Sequence, residues 1–482
     1  MTTATKPAHT PVHLPREVNV ANVGLGLFAD AVAQQGRPVV QVDWRIPGGG
    51  DAEVVAALRR TFGPHADMID RANAEVFQRL DRGAPQLVDV QTARDVVPVL
   101  AAGQVLLHCG PRIDIGRVTD PLRRSMRAAI CAEGWAETPA EADRLLVDGA
   151  VRLEPANFHG VVVPMATAMG PSTPVWVVEL ADAGIRTYAP ITQGSGDVAW
   201  FGRDTPGAID RLVLLRDACG PVLAAAVHAH GPLDVMSLAA QAVAMGDDVH
   251  VRTQAATNLL LRDLLPHLVA GEHPRRVEVA TFLAGNYLLF LTLAMASARA
   301  LTTWAAQVEN SSVVTGMSRN GTDFAAWLAG PDAEWHLAPS PMVGRALYQP
   351  GRSESEAAPD IGDSSVLELV GLGGACAAGS PAVAQIVGGA MANAAELTEA
   401  LDAVCVGNSS RFMIPVWGMK GSPVGVDVRR VVELGITPSV TTGILDNSGG
   451  TGQVGAGVAE APLEVFVDAL LALDARLSGT AQ

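Results

Sequence analysis

Residues 18–44 read VNVANVGLGLFADAVAQQGRPVVQVDW. Val18 to Val23 is a β-branched run, Leu27 to Gln35 has apolar residues at helical spacing, and Pro38 to Trp44 turns β-branched again. A period that passes from two to 3.6 and back predicts strand, helix, strand, the unit from which α/β folds are built. Gly24-x-Gly26-x-x-Ala29 opens the helix and Asp43 ends the second strand. Glycines placed so let backbone N–H groups approach a pyrophosphate, and the acid can take a ribose hydroxyl. The same small residues also suit a tight turn that only permits close packing. A Pro-Gly-Gly-Gly run at 47–50 then reads as a linker, so no further βα unit follows directly.

Working outward, the pattern predicts an α/β, multi-domain chain: two or three α/β parts around a helical middle domain. The expected parts are a small β-α-β unit at 17–50, an α/β domain at 51–205, a helical domain at 206–310 and a Gly-rich α/β domain at 311–482. Residues 1–16 are polar and Pro-rich and read as a frayed end. Helical spacing covers 52–62, 65–81, 138–148, 207–218, 221–228, 233–244, 254–270, 277–306 and 461–477, while 105–107 and 175–179 read as strands. Val279 to Ala298 is long and apolar enough to cross a bilayer, yet it contains Asn286 and Arg299 follows it. It is read as the core helix of a large domain.

The 482 residues carry 34 Lys and Arg against 50 Asp and Glu, a net charge of −16. That excess of acid argues against nucleic acid and against an anionic membrane surface as partner. Hydrophobic residues make up 49 % and charged ones 17 %, which excludes disorder. The five cysteines are an odd number without a CxxC pair, as expected of reduced thiols in the cytoplasm. MTTATKPAHTPVHLPRE has no apolar signal core, so secretion is not expected.

Several clusters carry chemistry. Met245 to Arg252 gathers Asp247, Asp248, His250 and Arg252. A helical turn there sets Asp247 and His250 on one face, so that Asp247 orients a proton-transferring imidazole and Arg252 holds an anion. The plainer alternative is a capping Asp and a solvated turn. Three Gly-rich turns expose N–H groups that suit an anion: Ser318 to Gly321, Gly371 to Gly374, and Asn447 to Gln453. Each is also compatible with an ordinary turn. Asp427 and Arg429 fall on one face if that segment is a strand, as an ion pair or as a substrate clamp. His228 and His230 point apart in a helix, so no metal site and no cofactor is expected.

Taken in order, these strings resemble the AllG/YlbE-like family, the large subunit of oxamate carbamoyltransferase from anaerobic allantoin breakdown. The resemblance covers about residues 85–470. It rests on Leu107 to Pro111, Glu133 to Ala136, the 245–252 cluster, Val314 to Gly321, Pro359 to Ser364, Asp427 to Glu433, Gly435 to Pro438, and Gly452 to Gly457. The Asn22 to Asp43 unit also resembles the tail of FdrA-like subunits. The resemblance implies a cytoplasmic, multi-subunit carbamoyltransferase, moving a carbamoyl group between a small ureide such as oxalurate and phosphate or carbamoyl phosphate. Its implied partners are an FdrA-like subunit and a smaller third subunit, in an oligomer.

The chemistry of such a transfer assigns His250, Asp247, Arg319 and Asn320 to catalysis. Arg252, Asp360, Asp363, Gly373, Gly374, Arg429, Gly452 and Gln453 are expected to bind substrate or phosphate. The sequence departs from the family pattern at Phe158, where His is usual, at Gln193 and Asp197, where Glu and Lys are usual, and at Asp446, where His is usual. Two other readings stay open at this point: a non-catalytic scaffold subunit, and a dinucleotide-binding oxidoreductase.

Overall fold

The structure is a computed structural model and describes residues 19–42, 46–330 and 334–479. The 1–16 segment, Val18, Asp43 and Trp44 lie outside the described residues. Val20–Val23 and Val39–Val42 pair in parallel around the helix Gly26–Gln34, with Val20 opposite Val39. This β-α-β unit buries little of its own: Ala29 is the helix's one buried residue, and Val23, Leu25, Leu27, Phe28 and Val40 are each more than half exposed.

The rest of the described chain is a mixed α/β body in which helices pack around small sheets, most of them antiparallel. One four-stranded sheet runs Ile185–Pro190, Pro174–Leu180, Gln86–Thr92, Leu233–Asp234. A second runs His336–Pro339, Asp323–Leu328, Val314–Asn320, Ile361–Gly362. The C-terminal sheet pairs Ser439–Leu445 with Gln453–Glu460, and Ala346–Tyr348 lies on the other side of Gln453–Glu460. One cluster of buried apolar side chains runs from Val76 to Leu445 in sequence and includes Trp176, Phe290, Leu293, Leu367 and Phe412. All five cysteines are free thiols, four of them buried.

Local signals account for many helix starts. Thr138-Pro139 and Thr205-Pro206 each put a capping hydroxyl before a proline in the first turn, and the hydroxyls accept from Glu141 N and Ala208 N. The expected single helix over 277–306 is instead two, Arg276–Gly285 and Leu289–Ala305, bent 80° from each other. The break follows from hydrogen bonding. Asn286 turns out of the helix to donate to Thr192 O and Oγ1, and Tyr287 O accepts from Thr253 and Thr257. Beyond the break, 14 of the 17 residues of Leu289–Ala305 are buried, so this apolar run does form core.

A second expectation fails at 427–429. The strand Lys420–Val426 ends before Asp427, which caps the helix Val428–Leu434 by accepting from Arg429 N. Asp427 and Arg429 are therefore joined through a helix cap rather than across a strand face.

Two glycines decide how closely the parts approach. A Cβ on Gly110 would lie 2.4 Å from Asn320 N, and one on Gly362 would lie 2.4 Å from Met165 N; both residues have positive φ, +77° and +122°. Gly362→Ala is therefore expected to cost at least about 2 kcal/mol in urea unfolding, from combined strain and overlap. Gly285→Ala, with nothing within 4 Å of the added Cβ, is expected to change stability by no more than about 1 kcal/mol.

Candidate functional site

A cavity of about 200 Å³ opens where the C-terminal sheet faces the broken helix pair. Pro164 and Met165, Trp200 and Phe201, Tyr287, Leu288 and Leu291, Ile386 and Ala456 form its mostly apolar wall, and His250, Ser364, Thr442 and Gln453 supply its polar groups. The chain break at Asn286 thus serves the site by aiming Tyr287 and Leu288 inward.

His250 does not meet Asp247. Residues 246–253 form an irregular loop with Gly246 and Val249 at positive φ, so the expected helical turn is absent. The His250 ring donates instead from Nδ1 to Glu368 Oε1 at 2.8 Å, both side chains being buried. Gly374 N and Thr441 N donate to the same oxygen at 3.2 and 3.3 Å. Gly373 makes the approach possible, because a Cβ there would lie 2.2 Å from Glu368 Oε1. With Nδ1 held, Nε2 is the free nitrogen. It has no protein partner among the described residues and is not among the sealed polar atoms, so it is open to the cavity.

Asp247 and Asp248 shape the loop. Asp248 accepts from Val251 N and Arg252 N, closing the loop around the imidazole. Asp247 accepts from Ala256 N and pairs with Arg252 Nη1 at 2.9 Å. Burial pushes the Asp247 carboxyl up to about 6 against the pull of the Ala256 N–H and Arg252.

Behind the cavity wall, Arg319 Nε and Nη2 donate to Asp360 Oδ2 and Oδ1 at 2.7 and 3.0 Å. Thr442, on the wall, donates its hydroxyl to Asp360 Oδ1 at 3.0 Å. Asp363 accepts from Gly110 N, Val163 N and the Ser318 hydroxyl, and burial raises its carboxyl above the ordinary range. Asn320 bonds Pro111 O and takes Thr322 N and Asp323 N.

The structure therefore brings His250 and Gln453 to the cavity and sets Asp360, Asp363, Gly373, Gly374 and Arg319 behind it, while Asn320 holds the turn after its own strand and Pro111 O. Arg252 pairs with Asp247 outside the lining. Arg429 is elsewhere, fully engaged with Asp427, Asp70 and Thr61 O. Gly452 belongs to the loop capped by Asp446, whose carboxylate accepts from Ser448 N, Gly449 N, Thr451 N and the Thr451 hydroxyl. Two of the Gly-rich turns read as cradles for a ligand anion hence hold anions of the chain itself, Glu368 and Asp446.

Sequence reasoning missed Glu368. Its signal was available as one carboxylate inside the apolar run Val366-Leu367-Glu368-Leu369-Val370, which calls for a buried partner. Of the positions departing from the family pattern, none lines the cavity. Gln193 accepts from Trp200 N, Asp197 binds Arg203 and Thr205, and Phe158 packs on Trp335.

A profile described as "Oxamate carbamoyltransferase subunit AllG" matches residues 151–364. The chain is 36 % identical over 409 residues to "Oxamate carbamoyltransferase subunit AllG" of Escherichia coli (strain K12), covering 84 % of this chain and 97 % of that one. It is 32 % identical over 457 residues to "Uncharacterized protein YahG" of the same organism, covering 94 % and 96 %. A crystal structure of a conserved protein of unknown function from Enterococcus faecalis V583 matches with a TM-score of 0.82 and 31 % identity, covering 85 % of this chain and 98 % of that one.

The Asp446 loop makes a pH prediction. Burial works upward on its carboxyl, but the Thr451 hydroxyl and the three backbone N–H groups outweigh it and hold it at about 2, below the ordinary 3.8. A depressed carboxyl stabilises above its unfolded value and loses that contribution as pH falls through the folded one. Thermal unfolding should show Asp446→Asn less stable than wild type above pH about 4, with the gap narrowing towards pH about 2.

Proposed function

The chain belongs to the AllG family of oxamate carbamoyltransferase subunits, and from that premise we propose that it is the carbamoyl-handling subunit of a cytoplasmic transferase complex. The reaction moves a carbamoyl group between a small ureide and phosphate. The observation that carries this reading is the His250–Glu368 pair, with its free Nε2 at a cavity sized for a small molecule.

The roles follow from the donors and acceptors present. Thr442 gives its proton to Asp360, so its oxygen offers lone pairs to a carbamoyl N–H. Gln453 uses Nε2 on Gly455 O and keeps its oxygen as an acceptor. The Ser364 hydroxyl, at the same wall, can donate to the carbamoyl oxygen as charge builds there. When a phosphate oxygen attacks the carbamoyl carbon, His250 Nε2 takes the proton the nucleophile sheds. As the C–N bond breaks, the same nitrogen returns that proton to the leaving nitrogen, and a neutral amine or amide departs with carbamoyl phosphate as the other product. Glu368 holds the ring with Nε2 outward and stabilises the imidazolium between these steps.

An FdrA-like subunit and a smaller third subunit complete the complex in this reading. The name of the Escherichia coli relative, which is a subunit, supports a complex, and the two partners come from the sequence resemblance.

The test is the rate of carbamoyl transfer by the complex formed with this chain. His250→Gln should lower kcat by about 10²- to 10⁴-fold with little change in KM. Glu368→Gln keeps an acceptor for Nδ1–H without the charge, and should lower kcat by about 10- to 100-fold. Unchanged turnover in both, with folding verified by circular dichroism, would make the chain a scaffold.

A further inference from the structure

Glu133-Gly134-Trp135, one of the ordered motifs, takes no part in the His250 cavity. Gly134, at φ +73°, ends the helix Asp120–Ala132: its N–H donates to Cys131 O, and Trp135 N donates to Ile130 O. That turn carries Glu133 and Trp135 into the lining of a second cavity, of about 530 Å³. Arg94, Gln104, Ser172 and Arg216 complete its polar lining, and it shares no lining residue with the His250 cavity.

Opposite charges line this space without pairing. Ser172 donates its N–H and its hydroxyl to Glu133 Oε1, at 2.9 and 2.8 Å. Gly170 lets that carboxylate close on the backbone, because a Cβ there would lie 2.3 Å from Oε1. The other oxygen, Oε2, has no partner among the described residues and is not among the sealed polar atoms. Burial pushes the carboxyl up, against the pull of Ser172 and of the Arg94 and Arg216 charges. Arg216 is spent on Asp217 and Ala132 O. Arg94 is rooted beside Ser172 by its backbone N–H, which donates to Pro171 O. Its exposed guanidinium bonds nothing among the described residues, so all five of its N–H groups are available to the cavity.

We propose that this cavity is a second ligand site and that its ligand is an amino-purine nucleotide. The volume argues for that size, since a small ureide would leave most of 530 Å³ to water. Each part of such a ligand has a counterpart in the lining. The phosphate meets the Arg94 fork, which suits two phosphate oxygens at once. The flat base lies against the Trp135 ring. The exocyclic amino group donates to Glu133 Oε2, the oxygen that Ser172 leaves unused. The chain's net charge of −16 disfavours a polyanion, whereas one local guanidinium suffices for a single phosphate.

The experiment is calorimetric titration of the full chain with AMP, adenosine, IMP and N-carbamoylglycine. AMP should bind with a Kd below about 1 mM, and adenosine, which lacks the phosphate, at least about tenfold more weakly. Arg94→Ala should bring AMP to within about twofold of adenosine. IMP presents a 6-oxo acceptor to the Glu133 carboxylate and should bind less tightly than AMP. Glu133→Gln keeps an oxygen for Ser172 and adds an N–H donor, so it should reduce that preference. Ala101→Trp fills the cavity from an exposed position and should abolish AMP binding, which shows that the nucleotide sits there.

The proposal is overturned if AMP fails to bind at about 1 mM, or if its binding survives both Arg94→Ala and Ala101→Trp. It is equally overturned if N-carbamoylglycine binds more tightly than AMP and loses that binding in Ala101→Trp, which would make this cavity a ureide site. None of these outcomes touches the transfer reading, which rests on His250 and Glu368.

Discussion

A carboxylate removed from water needs hydrogen-bond donors or a cation, because its desolvation otherwise exceeds what packing returns. The described chain buries nine Asp and Glu side chains, and four of them, Asp247, Asp360, Asp427 and Asp474, pair with an arginine. Backbone N–H groups hold the others. Asp248, Asp363, Glu368 and Asp446 each accept from two or more of them. Several of these bonds span the chain: Asp363 ties Gly110 and Val163 to the segment after Ile361–Gly362, and Glu368 ties the 250 loop to Thr441. The buried acids are thus the fasteners between the early and late parts of the sequence, and the glycines at 110, 362 and 373 give them room.

The site is a by-product of the same fastening. Glu368 needs hydrogen-bond donors, and His250 is one of the groups that supply them, which leaves its other nitrogen facing the cavity. Asp248 fixes the loop so that the ring cannot swing away. Asp360 needs Arg319 and Thr442, so the threonine is oriented as an acceptor at the wall. Positioning and stability therefore share residues, as in other sites where a functional group is held by its partners. In the proposed reading, the proton-transfer group and the carbamoyl contacts of the reaction lie on this chain.

Much of the fold was legible in the sequence. The strands near 105 and 175 and most helix spans follow from period and capping residues, because those signals are local. The family followed from ordered short motifs. What failed depended on contacts distant in sequence. The helix break at Asn286 is set by Thr192, and His250 is oriented by a residue 118 positions away rather than by its neighbour Asp247. Arg319 looks like a free cation in a sequence and is paired in the structure with Asp360, 41 residues away. Arg429 pairs with its neighbour Asp427, one of the two readings the sequence allowed, and also with Asp70, 359 residues away. Glycine-rich turns signal an anion correctly, yet the sequence does not say whether the anion is a ligand or the chain's own carboxylate.

The central claim is that Glu368 fixes the His250 ring with its proton on Nδ1 and its lone pair on Nε2, facing the ligand. ¹⁵N spectra of the histidine side chains, with His250 assigned by its loss in His250→Gln, read this directly. The account predicts the ring proton on Nδ1 and the lone pair on Nε2, with a change at Nε2 when a small ureide enters the cavity. A proton on Nε2, or a ring insensitive to every ligand that binds the chain, would contradict it.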